Sequence, residues 1–474
     1  MSDPSTPDDP FEGLPPELRA LFAQLGGGDA ARLAAHVSAA MSATRRATDG
    51  PVDFALAERV ARDVAASGDR PATAEESRRA HEALTLAEHW LDDTGLPSPP
   101  DAGRLVVASR TDWLTAAIPA LRPLIEPVAR ASVNAMVALA REQLTDVDAD
   151  SLASLGIELP EGFADVLAQL AQGDVGQMLR PAAAAMAGLQ AGQIVGQLSR
   201  QLHGQYDLGV PTAPAGQAYV LAVNVTETFD GYDLDETEVA IMVAVTEAAH
   251  RRVFHAVGWL ASHTNDLVAE FARGTHVDAD RLDALSDELL MSVDPDDPDA
   301  LRAAMEKAAQ FRLEPTDAQR RVLERLQTVV CVTDAWARLE ARRAVGARLP
   351  ARDRIEEVLR RRRATRGDGE ELLTALLGLD LRPADESLGD VFVVTVDDTL
   401  GPSGLRQVLA HPENLPDGDE LRDPARWLTR MATSTEIPED LTQLFADLGD
   451  APVEASAEER TARPDKDDDG HGAG

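Results

Sequence analysis

The sequence predicts a mainly α protein with a small β-sheet edge, on three observations. Aromatic residues make up only 4% of the 474 residues. A core poor in aromatic rings is built from Ala, Leu and Val, which suits close-packed helices better than an aromatic-rich sandwich. Most of the chain repeats apolar residues at helical spacing. Only two short β-branched runs stand apart from that pattern, Tyr219–Val225 and Val391–Val396.

Residues 1–15 carry Pro and Asp without periodicity and read as a disordered leader. Residues 52–66 place Phe54, Ala57, Val60, Ala61 and Val64 on one helical face. Thr73–Trp90 has the same pattern. Leu114–Leu144 is apolar throughout but holds Pro119, Pro123 and Pro127, which predicts a kinked or split helix. Leu179–His203 is a small-residue helix with Gly188, Gly192 and Gly196 four apart, a spacing that lets a second helix approach closely. Tyr219–Val225 follows the turn-rich PTAPAGQ and reads as a strand; Val391–Val396 is a weaker strand candidate. Between them, Asp235–Leu381 reads as helices with loops. Residues 16–175 form an expected N-terminal helical subdomain, 176–445 the region bearing the site, and 446–474 a disordered acidic tail. From Glu454 onward that tail holds seven acids and three bases.

Charge and cysteine content narrow the function. Lys+Arg 45 against Asp+Glu 82 gives a formal charge of -37. Phosphate backbones and anionic lipid repel such a chain, so neither nucleic acid nor a membrane surface is an expected partner. One cysteine, Cys331, excludes an internal disulfide framework and a multi-thiolate zinc site; in its Val-rich helix it reads as a small buried hydrophobe. The N-terminus is acidic and polar, unlike a secretory signal, and Pro181–Ser199 is too polar for a membrane span. A soluble, cytoplasmic protein is the expectation.

The window Asp235–His263 is the most informative. Asp235 is a candidate helix cap with Glu238 as its capping-box partner. Val239, Met242, Val243, Thr246, His250, Val253 and Val257 then fall on one stripe, so His250 faces inward with Glu247 at the stripe's edge. Compared with H-E-x-x-H, where two histidines hold zinc and the glutamate activates its water, the string Thr246-Glu247-Ala248-Ala249-His250 lacks the first histidine. His250 is then either a relic ligand or a core histidine bonded to Glu247, and the second reading is favoured. His255 lies about 140° round the helix from His250 at ~100° per residue, a poor co-ligand. His263 lies past the expected helix end at Gly258. Arg360–Arg363, with Arg352, Arg354 and Arg366, reads first as a solvated face paired with surplus acids, and second as an anchor for an acidic tail or a carboxylate ligand. The spaced glycines read as packing devices rather than a nucleotide loop.

Several separated motifs agree in order with one family. Gly188-Leu189-Gln190-Ala191-Gly192, Gly196–Ser199, Gly204–Leu208, the strand YVLAVNV, VTEAAHRRVF, Gly258–Leu260 and His263 follow one another. Gly50–Asp53 lies upstream; Arg360–Ala364 and Leu377–Pro383 lie downstream. Over roughly residues 50–430 the chain resembles the zincin-like metallopeptidase family, whose members are described as hydrolases or zinc-dependent metalloproteases. The resemblance implies a mainly helical zincin-like fold and a zinc site. It places Glu247 at the general base, His250 at the second ligand, Thr246 at the first ligand, and Gln327 at the third, normally a glutamate in an L-E-G-like string. Thr246 and Gln327 are weak donors where a catalytic zinc needs three protein ligands. The expectation is therefore a vestigial Glu247 and His250, zinc in the family but none here, and an inactive pseudo-metalloprotease acting in binding or regulation, with an unknown protein or peptide as partner. Two alternatives stand beside it: an active hydrolase with a rearranged ligand set, and a helical protein keeping only the fold.

Overall fold

The first described helix already shows how the chain builds its packing surfaces. In the computed structural model, which describes residues 50–102, 104–146, 175–215, 217–274, 315–365, 367–381 and 387–434, helix α1 (Phe54–Ala65) buries Ala57, Ala61 and Ala65 on one face. Asp53 caps it by accepting from the Leu56 amide at 2.9 Å. Helix α2 (Ala74–Leu91) opens on a full capping box between Thr73 and Glu76. Strand β1 (Leu105–Ala108) leads into α3 (Arg110–Asp146), which carries Pro119, Pro123 and Pro127 inside one continuous helix. Of the expected kink or split, the split does not occur.

Helix α4 (Val175–Leu198) packs against α1 through the three spaced glycines. A Cβ on Gly188 would lie 2.4 Å from the Asp53 carbonyl oxygen, and one on Gly192 2.6 Å from that of Ala57. The predicted close approach is the actual contact.

Strand β2 (Ala218–Leu221) pairs in parallel with β1, Leu105 opposite Ala218 and Ala108 opposite Leu221. All four of its residues are buried, which explains an apolar run without alternation. The strand is shorter than predicted. From Ala222 the chain turns into α5 (Ala222–Phe229). β1 offers only four residues to pair with, and beyond them Asn224 is committed elsewhere. Its amide donates to the Ser199 and Leu202 carbonyls, and its Oδ1 accepts from Arg110.

Helix α6 (Glu236–Ala256) is buried nearly all round, packing on α2 and on α8 (Asp317–Val345). Asp235 caps it through the Thr237 and Glu238 amides. The Glu238 side chain does not close a capping box; it accepts from the Ala351 amide at 2.7 Å, tying α6 to the start of α9 (Arg352–Thr365). Helix α7 (Leu260–Arg273) follows α6, and α10 (Gly367–Leu377) follows α9.

The second strand prediction is wrong: Val391–Val396 lies in α11 (Ser387–Leu400). Gly389, Phe392, Val393 and Val396 are its buried residues, spaced i, i+3, i+4, i+7, and this period outweighed the β-branched composition. Thr395 and Thr399 accommodate the helix by bonding back to the Val391 and Thr395 carbonyls. Gly389 sits so close to α8 that a Cβ would stand 2.5 Å from Cys331 Sγ, and Cys331 is buried as expected. Helices α12 (Pro402–Val408) and α13 (Gly418–Arg422) complete this unit, which runs to Pro424. Helix α14 (Pro424–Ser434) opens a separate second unit. No helix among the described residues is long and apolar enough to cross a membrane. The leader and the tail expected at the two ends lie outside the described residues.

Candidate functional site

Glu247 and His250 are both buried, each 3% exposed, but they do not bond to each other. Glu247 turns toward the loop after α4. Its two carboxylate oxygens accept from the Gln205 amide at 3.0 Å and the Tyr206 amide at 3.4 Å. Gly204 is required at this approach, because a Cβ there would stand 2.2 Å from the Glu247 carboxyl group. Burial pushes the Glu247 carboxyl well above the ordinary 4.5, and the nearby Asp207 carboxylate adds to the rise; the two backbone donors oppose it.

That shift has a sign. A native carboxyl with a raised pKa binds its proton more tightly than the unfolded chain does, so stability falls as pH rises from about 4.5 toward the native value. Glu247→Gln has no proton to lose. Melting temperatures of wild type and Glu247→Gln from about pH 4 to about pH 8 should therefore diverge, the wild type losing more with rising pH. Parallel curves would show that Glu247 is not held protonated by its surroundings.

His250 points the other way. Its Nδ1–H donates to the Thr246 carbonyl at 2.8 Å, and its Nε2 lies 2.9 Å from Asp334 Oδ1. The Tyr206 ring stacks on the imidazole with centroids 5.8 Å apart and 16° between planes, and Tyr206 itself is 2% exposed. Burial drives its phenol above the ordinary 10.0, so it stays neutral and acts as a cover that keeps water off the imidazole. Asp334 continues into Arg338, whose Nε lies 3.4 Å away and whose Nη2 donates to Asp390 at 2.9 Å. The result is one chain of alternating groups: imidazole, carboxylate, guanidinium, carboxylate.

The other predicted residues fall outside this chain. The Thr246 hydroxyl donates to the Met242 carbonyl. The Gln327 amide donates to the Asp380 carbonyl at 3.1 Å. Gln327 and Asp334 are seven residues apart on α8, about 10 Å along the axis at ~1.5 Å per residue, so Gln327 is two turns from the carboxylate that faces His250. Sequence reasoning missed Asp334. Its signal was a lone acid inside the apolar run Val329–Ala337, where an unpaired carboxylate is costly. His255 is exposed, and His263 packs edge-on against Trp259, 5.4 Å between centroids. The arginine cluster divides. Arg360 and Arg361 pair with Glu357 on their own helix. Arg354 donates to the Tyr232 and Asp233 carbonyls. Arg362 donates to His203 Nδ1 at 2.6 Å and to the Gln201 carbonyl, fastening α9 to the loop that holds Glu247. Arg363 and Arg366 lie outside the residues whose side chains are described.

These residues do not make up a three-ligand zinc site. Only the His250 imidazole and the Asp334 carboxylate converge. Among the described residues no group of three or more His, Cys, Asp or Glu is placed to hold a metal ion. Two ligands of one tetrahedral zinc stand about 3.4 Å apart, whereas 2.9 Å is a hydrogen-bond distance.

Comparison with known proteins agrees with this architecture. The family model for zincin-like metallopeptidases matches residues 52–428. A solved structure from Chloroflexus aurantiacus, described as "a putative hydrolase with a novel fold", superposes with a TM-score of 0.52 at 20% identity, covering 80% of this chain and 99% of that one; at that identity it speaks for the fold alone. No curated protein matches. With the matched residues running from before α1 into α14, the chain belongs to the zincin-like metallopeptidase family.

Proposed function

We propose that this chain is a family member that binds rather than hydrolyses, its metal site replaced by a direct bond between His250 and Asp334. The observation that carries the reading is the 2.9 Å contact of His250 Nε2 with Asp334 Oδ1, under a tyrosine cover, with Thr246 where a third donor is needed. A catalytic zinc supplies a hydroxide at neutral pH when three protein ligands hold it; here two are in reach. Glu247 is engaged by two backbone amides on a neighbouring loop, which makes it a fastener for that loop.

One observation favours a working metal site instead. An imidazole that donates Nδ1–H to a carbonyl and aims Nε2 at a carboxylate has the orientation of a metal-bound histidine. Elemental analysis of purified full-length protein separates the two. The binding reading expects far less than one zinc per chain; about one zinc per chain, lost in His250→Ala, supports the hydrolase reading.

A further inference from the structure

A cleft of 240 Å³ opens beside Thr246, between α6, α8, α9 and the first turn of α11. Its apolar wall is Met242, Ala341 and Leu359. Opposite stand three guanidinium groups, Arg338, Arg342 and Arg360, against two carboxylates, Glu356 and Asp390. The lining thus holds one more guanidinium than carboxylates, in a chain with 82 acids and 45 bases.

The three arginines are held to different degrees. Arg338 is fixed between Asp334 and Asp390 and is 15% exposed. Arg342 is 47% exposed, and its one ion pair among the described residues is with Glu356 at 3.4 Å. Arg360 is 67% exposed and pairs with Glu357, which does not line the cleft. Two guanidinium forks at the mouth can therefore turn toward an incoming anion, and a planar fork matches a carboxylate bidentately.

We propose that this cleft binds a carboxylate carried on a small apolar body, gripped by Arg342 and Arg360 and seated on Met242, Ala341 and Leu359. The shared chemistry covers both the C-terminal end of a peptide and a free small carboxylic acid. The proposal deepens the binding function proposed above by giving it a ligand class.

Calorimetric titration of the full-length protein tests it, with N-acetyl-leucine as the probe. N-acetyl-leucine should bind, and N-acetyl-leucinamide, identical but uncharged, about tenfold or more weaker. Arg342→Gln and Arg360→Gln, both at well-exposed side chains, should keep the fold and each weaken the acid about tenfold. 4-Methylpentanoate as tight as N-acetyl-leucine supports a free acid as the source, and a large gain for N-acetyl-leucine over it supports a peptide end; acetate as tight as either shows that the apolar wall contributes nothing and overturns the assignment. Equal binding of acid and amide, indifference to both arginine variants, inorganic phosphate as the tightest probe, or no heat up to about 10 mM overturns the assignment. Zinc content of the same preparation reads the other claim separately. A zinc-free protein that ignores N-acetyl-leucine overturns the cleft and leaves the proposed loss of the metal site standing. A zinc-loaded protein whose carboxylate binding needs both arginines supports the cleft and overturns the proposed loss of the metal site.

Discussion

Gly192→Leu is expected to cost about 3 kcal/mol or more of folding stability. The helices α1 and α4 meet where Gly188, Gly192 and Gly196 face Asp53, Ala57 and Ala61 in turn. At Gly192 even a Cβ would lie 2.6 Å from the Ala57 carbonyl oxygen and 2.8 Å from Val60 Cβ. The obstructing oxygen belongs to a helix backbone, so no rotamer change relieves the clash. The helices would have to separate, opening contacts along their shared length. Gly258→Ala is the matched control, since nothing lies within 4 Å of a Cβ there. Urea unfolding should give a large drop in midpoint for the first and little change for the second. Equal midpoints would mean that the glycine seam does not set the helix spacing.

Arg252→Ala is expected to cost about 3–5 kcal/mol. This guanidinium is 1% exposed and fully engaged. Its Nε donates to Glu88 Oε2 at 2.8 Å, Nη1 to the Leu96 carbonyl at 3.1 Å, and Nη2 to the Glu88 carbonyl at 2.8 Å and Asp92 Oδ1 at 2.7 Å. It thereby welds the site helix α6 to the end of α2. Removing it leaves the Glu88 carboxylate, 8% exposed, without its closest counter-charge. A desolvated charge without a partner costs more than the pair contributes. The double variant Arg252→Ala with Glu88→Ala should therefore be more stable than the sum of the two single losses, by a coupling of about 1 kcal/mol or more. Additive losses would show that the two side chains act independently.

The helical class, the glycine seam, the Asp235 cap and the inward turn of His250 were legible because each rests on local spacing. The failures share a cause. Tyr219–Val225 and Val391–Val396 have strand composition, but strand length is set by a partner four residues long. The helical state of α11 goes with its packing on α8, where Gly389 meets Cys331. The same holds at the site. His250 and Glu247 share a helix and were expected as partners, yet each found its partner on a distant segment, Asp334 on α8 and the Gln205 and Tyr206 amides in the loop after α4. No spacing rule within α6 records those meetings. The lone acid within Val329–Ala337 was the one trace of the first, and Gly204, whose missing side chain admits Glu247, was the trace of the second.

The absent third donor can be put back. Thr246→His would add an imidazole four residues before His250 on the same helix face, where two histidines can share one zinc. Elemental analysis after dialysis against trace zinc should then find about one zinc per chain in Thr246→His, lost again on adding His250→Ala or Asp334→Asn, and far less than one in the wild type. Stoichiometric zinc already in the wild type, or a folded Thr246→His protein that takes up none, would contradict the claim that His250 and Asp334 are a metal site short of one ligand.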